Sequence, residues 1–581
     1  GRLIGDDERV DDWLWMFNPA EASDTQTAAL RNRRRFSFAD MAVLGDADAF
    51  HARRGDIRAQ QVRRSLHWTF GPESDFSADD LAMILARLDA PGRADWTAAL
   101  LSDAWWTIGR EGGPVGAAFA FSRILHTLGS ALSTAIEAAD TTPLAEALPG
   151  LADPMPDGLR DWLGRNEIAP LGELPLATWA SRLQAAAFDL MGRRIITSTP
   201  KRREHPRSAL RSDEIVWGRA PARLDVGGGW TDTPPYALEH GGVVINAAVN
   251  LNGQPPIHCY ARVIDEPVIR MSSIDLGRRV EIATLDDLAD FRSATGEFAL
   301  AKAALVLSGF SPETANWDGA ADLADMLGRF GGGIELTTLA AIPKGSGLGT
   351  SSIVGAVILA VVRRLAGQEL SRRDIFHGVL RMEQALTTGG GWQDQVGGVI
   401  DGTKIITAEP GLVPDPRIHY VPDEVLAPRA NDGATLLYYT GVTRLAKNVL
   451  KQVVGGYFDR RRRTMATLDR IRSLPSRTAE AMSRRDPAAF GAAVAEAWEQ
   501  NKALDPNSTN AEVEAIMDRI TPYIYGAKLL GAGGGGFLLI VCKSPRAAAD
   551  LRADLQAKAP NSRARFFDFT ISRDGLVVTC C

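Results

Sequence analysis

Cysteine is scarce in this chain. Cys259, Cys542, Cys580 and Cys581, four residues among 581, are too few and too scattered for a disulfide framework, and no C-x-x-C pair accompanies them. Free thiols imply a reducing compartment, and a cytoplasmic location is the expectation. Long apolar runs are missing too. Stretches such as Ile353 to Val362 fall well short of the ~20 residues of a membrane span, so no membrane association is expected. The chain opens acidic, from Gly1 to Glu8, without the apolar segment of a secretory signal, and the lack of an initiator Met reads as a fragment or a processed chain. There is no positive excess: 65 Lys+Arg stand against 71 Asp+Glu, a net charge of -6, which gives no overall attraction to nucleic acid. The 45% apolar and 23% charged residues are ordinary for a globular protein, and 581 residues make three domains the expectation.

Residues 1–200 differ in texture from the rest. Asp80 to Leu88 and Val115 to Ala139 carry helical periodicity with alanine-rich faces and few β-branched runs. Trp13, Trp15, Trp68, Trp96, Trp105 and Trp106 read as core filler. A basic junction from Arg193 to Arg211, broken by Pro200 and Pro206, reads as an exposed linker, and Arg460 to Arg463 as a solvated helix face. From Ile215 onward strands and helices mix without regular alternation, which argues for α+β lobes. Strands are expected at Gly242–Val249, Ile257–Val263, Leu436–Tyr439 and Gly536–Val541. Helices are expected at Ile353–Leu365, Asp374–Leu386, Ala446–Val454 and Thr464–Ile471.

Residues 343–352 read Pro-Lys-Gly-Ser-Gly-Leu-Gly-Thr-Ser-Ser, directly before the apolar run. Glycines at alternate positions let successive N–H groups turn inward as an anion nest, and the following helix adds its positive end. No Gly-Lys-Ser/Thr closes the loop and the G-x-G-x-x-G spacing is absent, so it is neither a Walker loop nor a dinucleotide fingerprint. Two more segments accompany it. One is Arg219 to Tyr236, with Arg223 and Gly229-Trp230-Thr231-Asp232. The other is Lys528 to Phe537, with the glycine run Gly531 to Gly536.

In order and separation the three segments resemble the motifs of the superfamily named for galactokinase, homoserine kinase, mevalonate kinase and phosphomevalonate kinase, over roughly residues 212–581. The resemblance implies an ATP-binding lobe of ribosomal S5 domain 2-like fold at 212–400 and a ferredoxin-like lobe at 401–581. A mainly helical arm and linker, 1–200, would precede them. It implies a phosphotransferase with an alcohol acceptor, using ATP and Mg2+. Lys344, Gly345, Ser346, Gly347, Leu348, Gly349, Thr350, Ser351 and Ser352 would then bind ATP. Thr350, Ser351 and Glu383 would hold the metal, Glu383 standing eleven residues before Asp394. Asp394 would accept the proton of the acceptor hydroxyl, and Arg223 would keep it ionised and counter developing charge. Trp230, Thr231, Asp232, Gly391, Trp392, Gly533 and Gly534 are the candidate substrate contacts, and Arg444 could approach the phosphates.

Gly229-Trp230 stands where galactokinases carry Glu-His, which disfavours galactose. The first motif resembles the L-fucokinases, and slightly less the heptose-phosphate kinases. The expected reaction is therefore ATP-dependent phosphorylation of the anomeric hydroxyl of L-fucose, in GDP-fucose salvage. D-glycero-D-manno-heptose 7-phosphate 1-kinase is the alternative, and an inactive sugar or nucleotide sensor the reading from another class. No nucleotidyltransferase domain is recognisable, and oligomeric state stays open.

Overall fold

A computed structural model describes residues 2–3, 35–36, 62–63, 66–104, 115–135, 176–198, 205–208, 210–292, 298–317, 319–386, 389–442 and 447–581. The chain divides into two compact units, Gly1–Ala187 and Phe188–Cys581. The boundary falls inside a helix, Leu176–Ser198, so the expected linker begins later than its first arginines: Arg193 is helical and pairs with Asp189 at 2.7 Å. Lys201, Arg202 and Arg203 lie outside the described residues. No described helix is long and apolar enough to cross a membrane.

The described part of the first unit is mainly helical, including α1 (Ala78–Leu85) and α2 (Val115–Ala135), with one short antiparallel pairing of Arg2–Leu3 with Arg35–Phe36. Ser77 and Asp80 cap α1 reciprocally: the Asp80 N–H donates to Ser77 Oγ and the Ser77 N–H to Asp80 Oδ2. Arg123 of α2 is buried because its guanidinium satisfies the carbonyls of Gly71 (2.7 Å) and Phe76 (2.6 Å). The tryptophans correct one expectation. Trp68 is 86% exposed, on a short helix whose Leu66 and the following Phe70 take the core positions instead. Trp13, Trp15, Trp105 and Trp106 lie outside the described residues.

The second unit holds three sheets. Its strands in chain order are β1 (Val216–Ala220), β2 (Ala222–Gly227), β3 (Gly242–Leu251), β4 (Ile257–Ile264), β5 (Ile269–Ser273), β6 (Arg278–Ile282) and β7 (Gly333–Ala340). They continue with β8 (Thr403–Ala408), β9 (Arg417–Tyr420), β10 (Thr435–Tyr439), β11 (Ile524–Leu529), β12 (Phe537–Cys542), β13 (Arg565–Phe567), β14 (Phe569–Ile571) and β15 (Val577–Cys580). One sheet runs β15-β1-β4-β7-β5-β6; a second runs β9-β8-β3-β14, with β2 also paired to β3. The third, β11-β12-β10-β13, is antiparallel. With the helices between β10 and β11 and Pro545–Ala557 between β12 and β13, it has the β-α-β-β-α-β order of a ferredoxin-like lobe.

The boundary expected near residue 400 needs correction. The strands β8, β9, β14 and β15 all follow residue 400, yet they pair with one another and with β1 and β3 of the earlier segment. The chain's end thus returns to complete both sheets of the first lobe. The cores merge as well. Strand β12 is buried at every position, the pattern of a strand covered on both faces. Its Phe537, Leu539 and Val541 join the large core shared with β1–β7, while Leu538, Ile540 and Cys542 pack under the helices of the ferredoxin-like lobe.

Arg460 departs from the expected solvated face. It sits at φ 50° in the turn between helices Lys447–Phe458 and Arg462–Ser483. Its side chain is 1% exposed, lies over the Tyr457 ring at 4.3 Å and pairs with Glu239 at 2.9 Å. Arg461, Arg462 and Arg463 are exposed as expected.

A chain ending at Asp568 would lose β14 and β15 and leave unpaired edges on both sheets of the first lobe. Such a chain is expected to unfold at clearly lower urea concentration than the full chain, read by circular dichroism. An unchanged midpoint would show that these strands add nothing to the first lobe.

Candidate active site

The phosphate loop forms where the sequence places it. β7 ends at Ala340, and the loop closes into α3 (Thr350–Leu365) with Gly349 as N-cap. Gly347 shows why glycine is needed: its φ is +76°, and a Cβ there would lie 2.1 Å from the Leu530 carbonyl oxygen. The third glycine segment presses on the loop backbone to backbone. The Phe537 N–H donates to Ser346 O at 2.9 Å, and a Cβ on Gly536 would reach the same oxygen at 2.5 Å. Gly533 and Gly534 pack instead on the Ser508 turn, where Asn510 Nδ2 donates to Gly534 O at 3.0 Å. Lys344, Gly345 and Ser351 are exposed; Ser346, Leu348, Gly349 and Ser352 are buried.

Arg223 on β2 joins this loop to Asp394. Its Nη1 donates to Gly347 O at 2.6 Å, while Nε (2.8 Å) and Nη2 (2.7 Å) both reach Asp394 Oδ1. Burial works against the Arg223 charge, but Asp394 and Asp225 outweigh it and hold the guanidinium pKa above its ordinary value. The Asp394 side chain remains 31% exposed, and Oδ2 accepts no hydrogen bond from the described residues. Asp394 belongs to a short helix, α4 (Gln393–Val399), which lies close on β2 because residue 397 is glycine: a Cβ there would be 3.0 Å from Arg223 Cβ. The buried Lys404 Nζ donates to the carbonyls of Gly397 and Gly402, both at 3.1 Å. Burial lowers its pKa to about 7.

Asp232 is 5% exposed and accepts the Gln393 N–H at 3.0 Å. Burial, and then the charge of Asp394, raise its pKa to about 7. Gly391 makes room for this carboxylate: a Cβ on it would collide with Asp232 Oδ2 at 2.1 Å. Two other candidate contacts face protein. The Thr231 hydroxyl is fully buried and bonded to the backbone of Gly228 and Val243. Trp392 is 2% exposed, packed where only Gly242 leaves space, so its ring offers no sugar face. Trp230 is half-buried at φ +83° and rests on the cluster of Tyr236, Tyr457 and Leu468. Arg444 lies outside the described residues.

The metal candidates are rearranged. Glu383, 5% exposed, takes the Ser352 hydroxyl at 2.5 Å, whereas Thr350 Oγ1 meets Ser346 Oγ at 3.1 Å. One turn of α3 explains the difference: a helix places residue 352 toward the neighbouring helix Arg372–Ala385, and Ser351 toward solvent. A carboxylate and a hydroxyl beside a phosphate cradle are hard oxygen donors of the kind magnesium takes, together with water and phosphate oxygens. Among the described residues no cluster of three His, Cys, Asp or Glu forms a self-sufficient metal site.

Sequence reasoning missed one arrangement. Asp225, two residues after Arg223, pairs with Lys528 at 2.9 Å, with side chains 5% and 2% exposed, and accepts Gln393 Nε2 at 3.2 Å. Burial would raise the Asp225 pKa, but Lys528 and Arg223 dominate and lower it. Period-two alternation in β2 would have marked residues 223 and 225 as one face, but neither partner is near in sequence.

Two predictions follow from these charges. Lys528→Met leaves Asp225 buried and unpaired, and should cost about 3–5 kcal/mol in urea unfolding. The double variant with Asp225→Asn should lose less than the sum of the single changes; additive losses would exclude a coupled pair. For Asp232, the folded pKa of about 7 lies above the unfolded value. The folded chain therefore holds a proton that the unfolded chain releases between pH ~4 and 7, and this contribution fades as pH rises through 7. Relative to wild type, Asp232→Asn should thus be more stabilising at pH 8 than at pH 5, by roughly 2–3 kcal/mol. An equal effect at both pH values would show that Asp232 is not held protonated.

The family model described as GHMP kinases N terminal domain matches residues 317–402, and that of GHMP kinases C terminal matches 478–561. The chain is 40% identical over 445 residues to an L-fucokinase/L-fucose-1-P guanylyltransferase of Bacteroides fragilis, covering 74% of this chain and 47% of that protein. It is 34% identical over 342 residues to a bifunctional fucokinase/GDP-fucose pyrophosphorylase of Arabidopsis thaliana, covering 58% and 31%. A D-glycero-alpha-D-manno-heptose 7-phosphate kinase of Campylobacter jejuni is 24% identical over 328 residues, covering 55% and 87%. The chain thus spans less than half the length of the two fucokinase relatives. With both family domains matched in order, the chain belongs to the GHMP kinases.

Proposed function

We propose that the chain transfers the γ-phosphoryl group of ATP to the anomeric hydroxyl of L-fucose. The observation that carries this reading is the Arg223 guanidinium, shared between the phosphate loop at Gly347 O and Asp394 Oδ1. It puts a buried cation between the group to be transferred and the group that receives the acceptor's proton, and phosphoryl transfer depends on such positioning and charge.

The loop N–H groups and the start of α3 hold the donor phosphates. The sugar hydroxyl approaches the open Oδ2 of Asp394, which orients it and takes its proton as the new P–O bond forms and the bond from the γ-phosphorus to the departing ADP oxygen breaks. Arg223 offsets charge on the acceptor oxygen and the phosphoryl oxygens. Asp232, close enough to Asp394 to feel its charge, would bond a further sugar hydroxyl, and when protonated it can donate as well as accept. Glu383 and Ser352 are the residues that would hold magnesium, which would supply positive charge against the donor phosphates. The fucokinase identity of the two relatives above supports fucose as acceptor, as does Trp230, whose half-buried ring stands where galactokinases carry a histidine. An apolar wall suits a sugar with a methyl in place of a hydroxymethyl group.

Asp394→Asn keeps size and hydrogen bonding but cannot take a proton. It is expected to lower kcat by ~10²–10⁴-fold with ATP affinity nearly unchanged. A rate within about threefold of wild type would remove Asp394 from the mechanism. For the acceptor, kcat/KM with ATP and magnesium should be higher for L-fucose than for D-galactose or heptose 7-phosphate. A higher value for the heptose phosphate would overturn the fucose assignment.

A further inference from the structure

The helix of Asp394, α4, is only seven residues long, and different groups hold its two ends. At the N-terminal end Asp232 accepts the Gln393 N–H and Asp225 accepts Gln393 Nε2. The last turn of a helix presents carbonyls with no N–H of the helix to accept. Here the Ile400 N–H takes Val396 O at 3.0 Å and the Leu576 N–H takes Val399 O at 3.1 Å. Gly397 O is taken by a side chain, Lys404 of β8.

Lys404 stands in a row of polar residues under this helix. Asn246 on β3 lies opposite Asp225 on one side and Lys404 on the other, so the three side chains share one sheet face. The helix comes close to that face: a Cβ on Gly397 would lie 2.8 Å from Asn246 Nδ2. The Asn246 amide finds no hydrogen-bond partner among the described residues, so within the row it is Lys404 that grips the last turn. Its place is costly. Lys404 is fully buried and, unlike Lys528, forms no ion pair among the described residues. An apolar side chain would fill the same space without taking a charge out of water.

What the lysine adds is a tie. Its Nζ joins Gly397 O in α4 to Gly402 O just before β8. Gly402 O also accepts the Ala248 N–H at 3.0 Å, so Gly397 O is the carbonyl that depends on Lys404. Near pH 7, where burial places the lysine pKa, the charged and the neutral amine both keep N–H groups for two carbonyls. We propose, on the reading of Asp394 given above, that Lys404 is a positioning residue for phosphoryl transfer: it holds the last turn of α4 on the sheet and thereby fixes Asp394 Oδ2 against the phosphate loop. Arg223 pins Oδ1, but Oδ2 has only the helix to place it. Without the tie, the last turn can lift and the carboxylate can pivot about Arg223. A displacement of ~1 Å can cost ~10²-fold in rate.

The test is steady-state kinetics of the 581-residue chain with L-fucose, ATP and magnesium, with thermal melts to verify folding. Wild type, Lys404→Met, Lys404→Gln, Asp394→Asn and the double variant Lys404→Met/Asp394→Asn are compared. Lys404→Met should lower kcat by about ten- to a hundredfold and leave the KM for ATP within about twofold. Lys404→Gln keeps an N–H donor in a neutral side chain and should retain more of kcat than Lys404→Met; it carries the test if Lys404→Met does not fold. In the Asp394→Asn background, Lys404→Met should change kcat by less than about threefold, because the group that it positions is already disabled. The same loss in both backgrounds would show a general weakening of the fold and overturn the proposal. So would a wild-type kcat in folded Lys404→Met, or a loss of folding in both single lysine variants. A wild type that leaves L-fucose unphosphorylated contradicts the kinase reading itself, whereas an active wild type with unaffected Lys404 variants overturns the role of Lys404 alone.

Discussion

The fold converges on the Arg223 guanidinium. It is almost completely buried and makes contacts that would otherwise compete: a loop carbonyl at Gly347 O and the carboxylate of Asp394. Removing such a cation from water is costly unless opposite charge and acceptors surround it. Asp394 and Asp225 supply the charge, and the loop supplies the carbonyl. The glycines make the geometry reachable. Gly347 lets the loop lie on the Leu530 backbone, Gly349 brings it against Arg223, and Gly397 lets the helix of Asp394 settle on β2. A side chain at any of these positions would push apart the groups that the guanidinium holds together.

A second buried pair extends this arrangement across the lobes. Asp225, on the strand of the first motif, binds Lys528 of the ferredoxin-like lobe and Gln393 beside Asp394, so one carboxylate links that strand to the strand of the third motif and to the helix of Asp394. The core is continuous in the same place, with Phe537, Leu539 and Val541 joining residues of the first lobe. Both features give the cleft between the motifs a rigid floor, which suits a reaction that depends on positioning.

Much of this was legible in the sequence. Strands such as β3 and β4, helix α3 and the loop before it follow from periodicity and glycine spacing, which act locally. Burial that depends on distant partners was not legible. Thr231 and Trp392 read as sugar contacts because they flank the motifs, yet Thr231 is absorbed by the backbone of Gly228 and Val243, and Trp392 by the space above Gly242. Arg460 read as one of four solvated arginines and became the partner of Glu239. Ser352, not Thr350, meets Glu383, because helical phase rather than motif position decides which hydroxyl faces the neighbouring helix. The return of β14 and β15 to the first lobe is a long-range pairing that no local pattern announces.

The central claim is that a phosphoryl group crosses from the loop to a sugar hydroxyl held at Asp394. Phosphorus NMR of the product formed from L-fucose, ATP and magnesium tests it most directly, because it reads both transfer and position. The account predicts a sugar phosphate whose phosphorus couples to the anomeric proton, formed in step with ADP. A phosphate ester at another carbon, or only free phosphate with fucose unchanged, would contradict it.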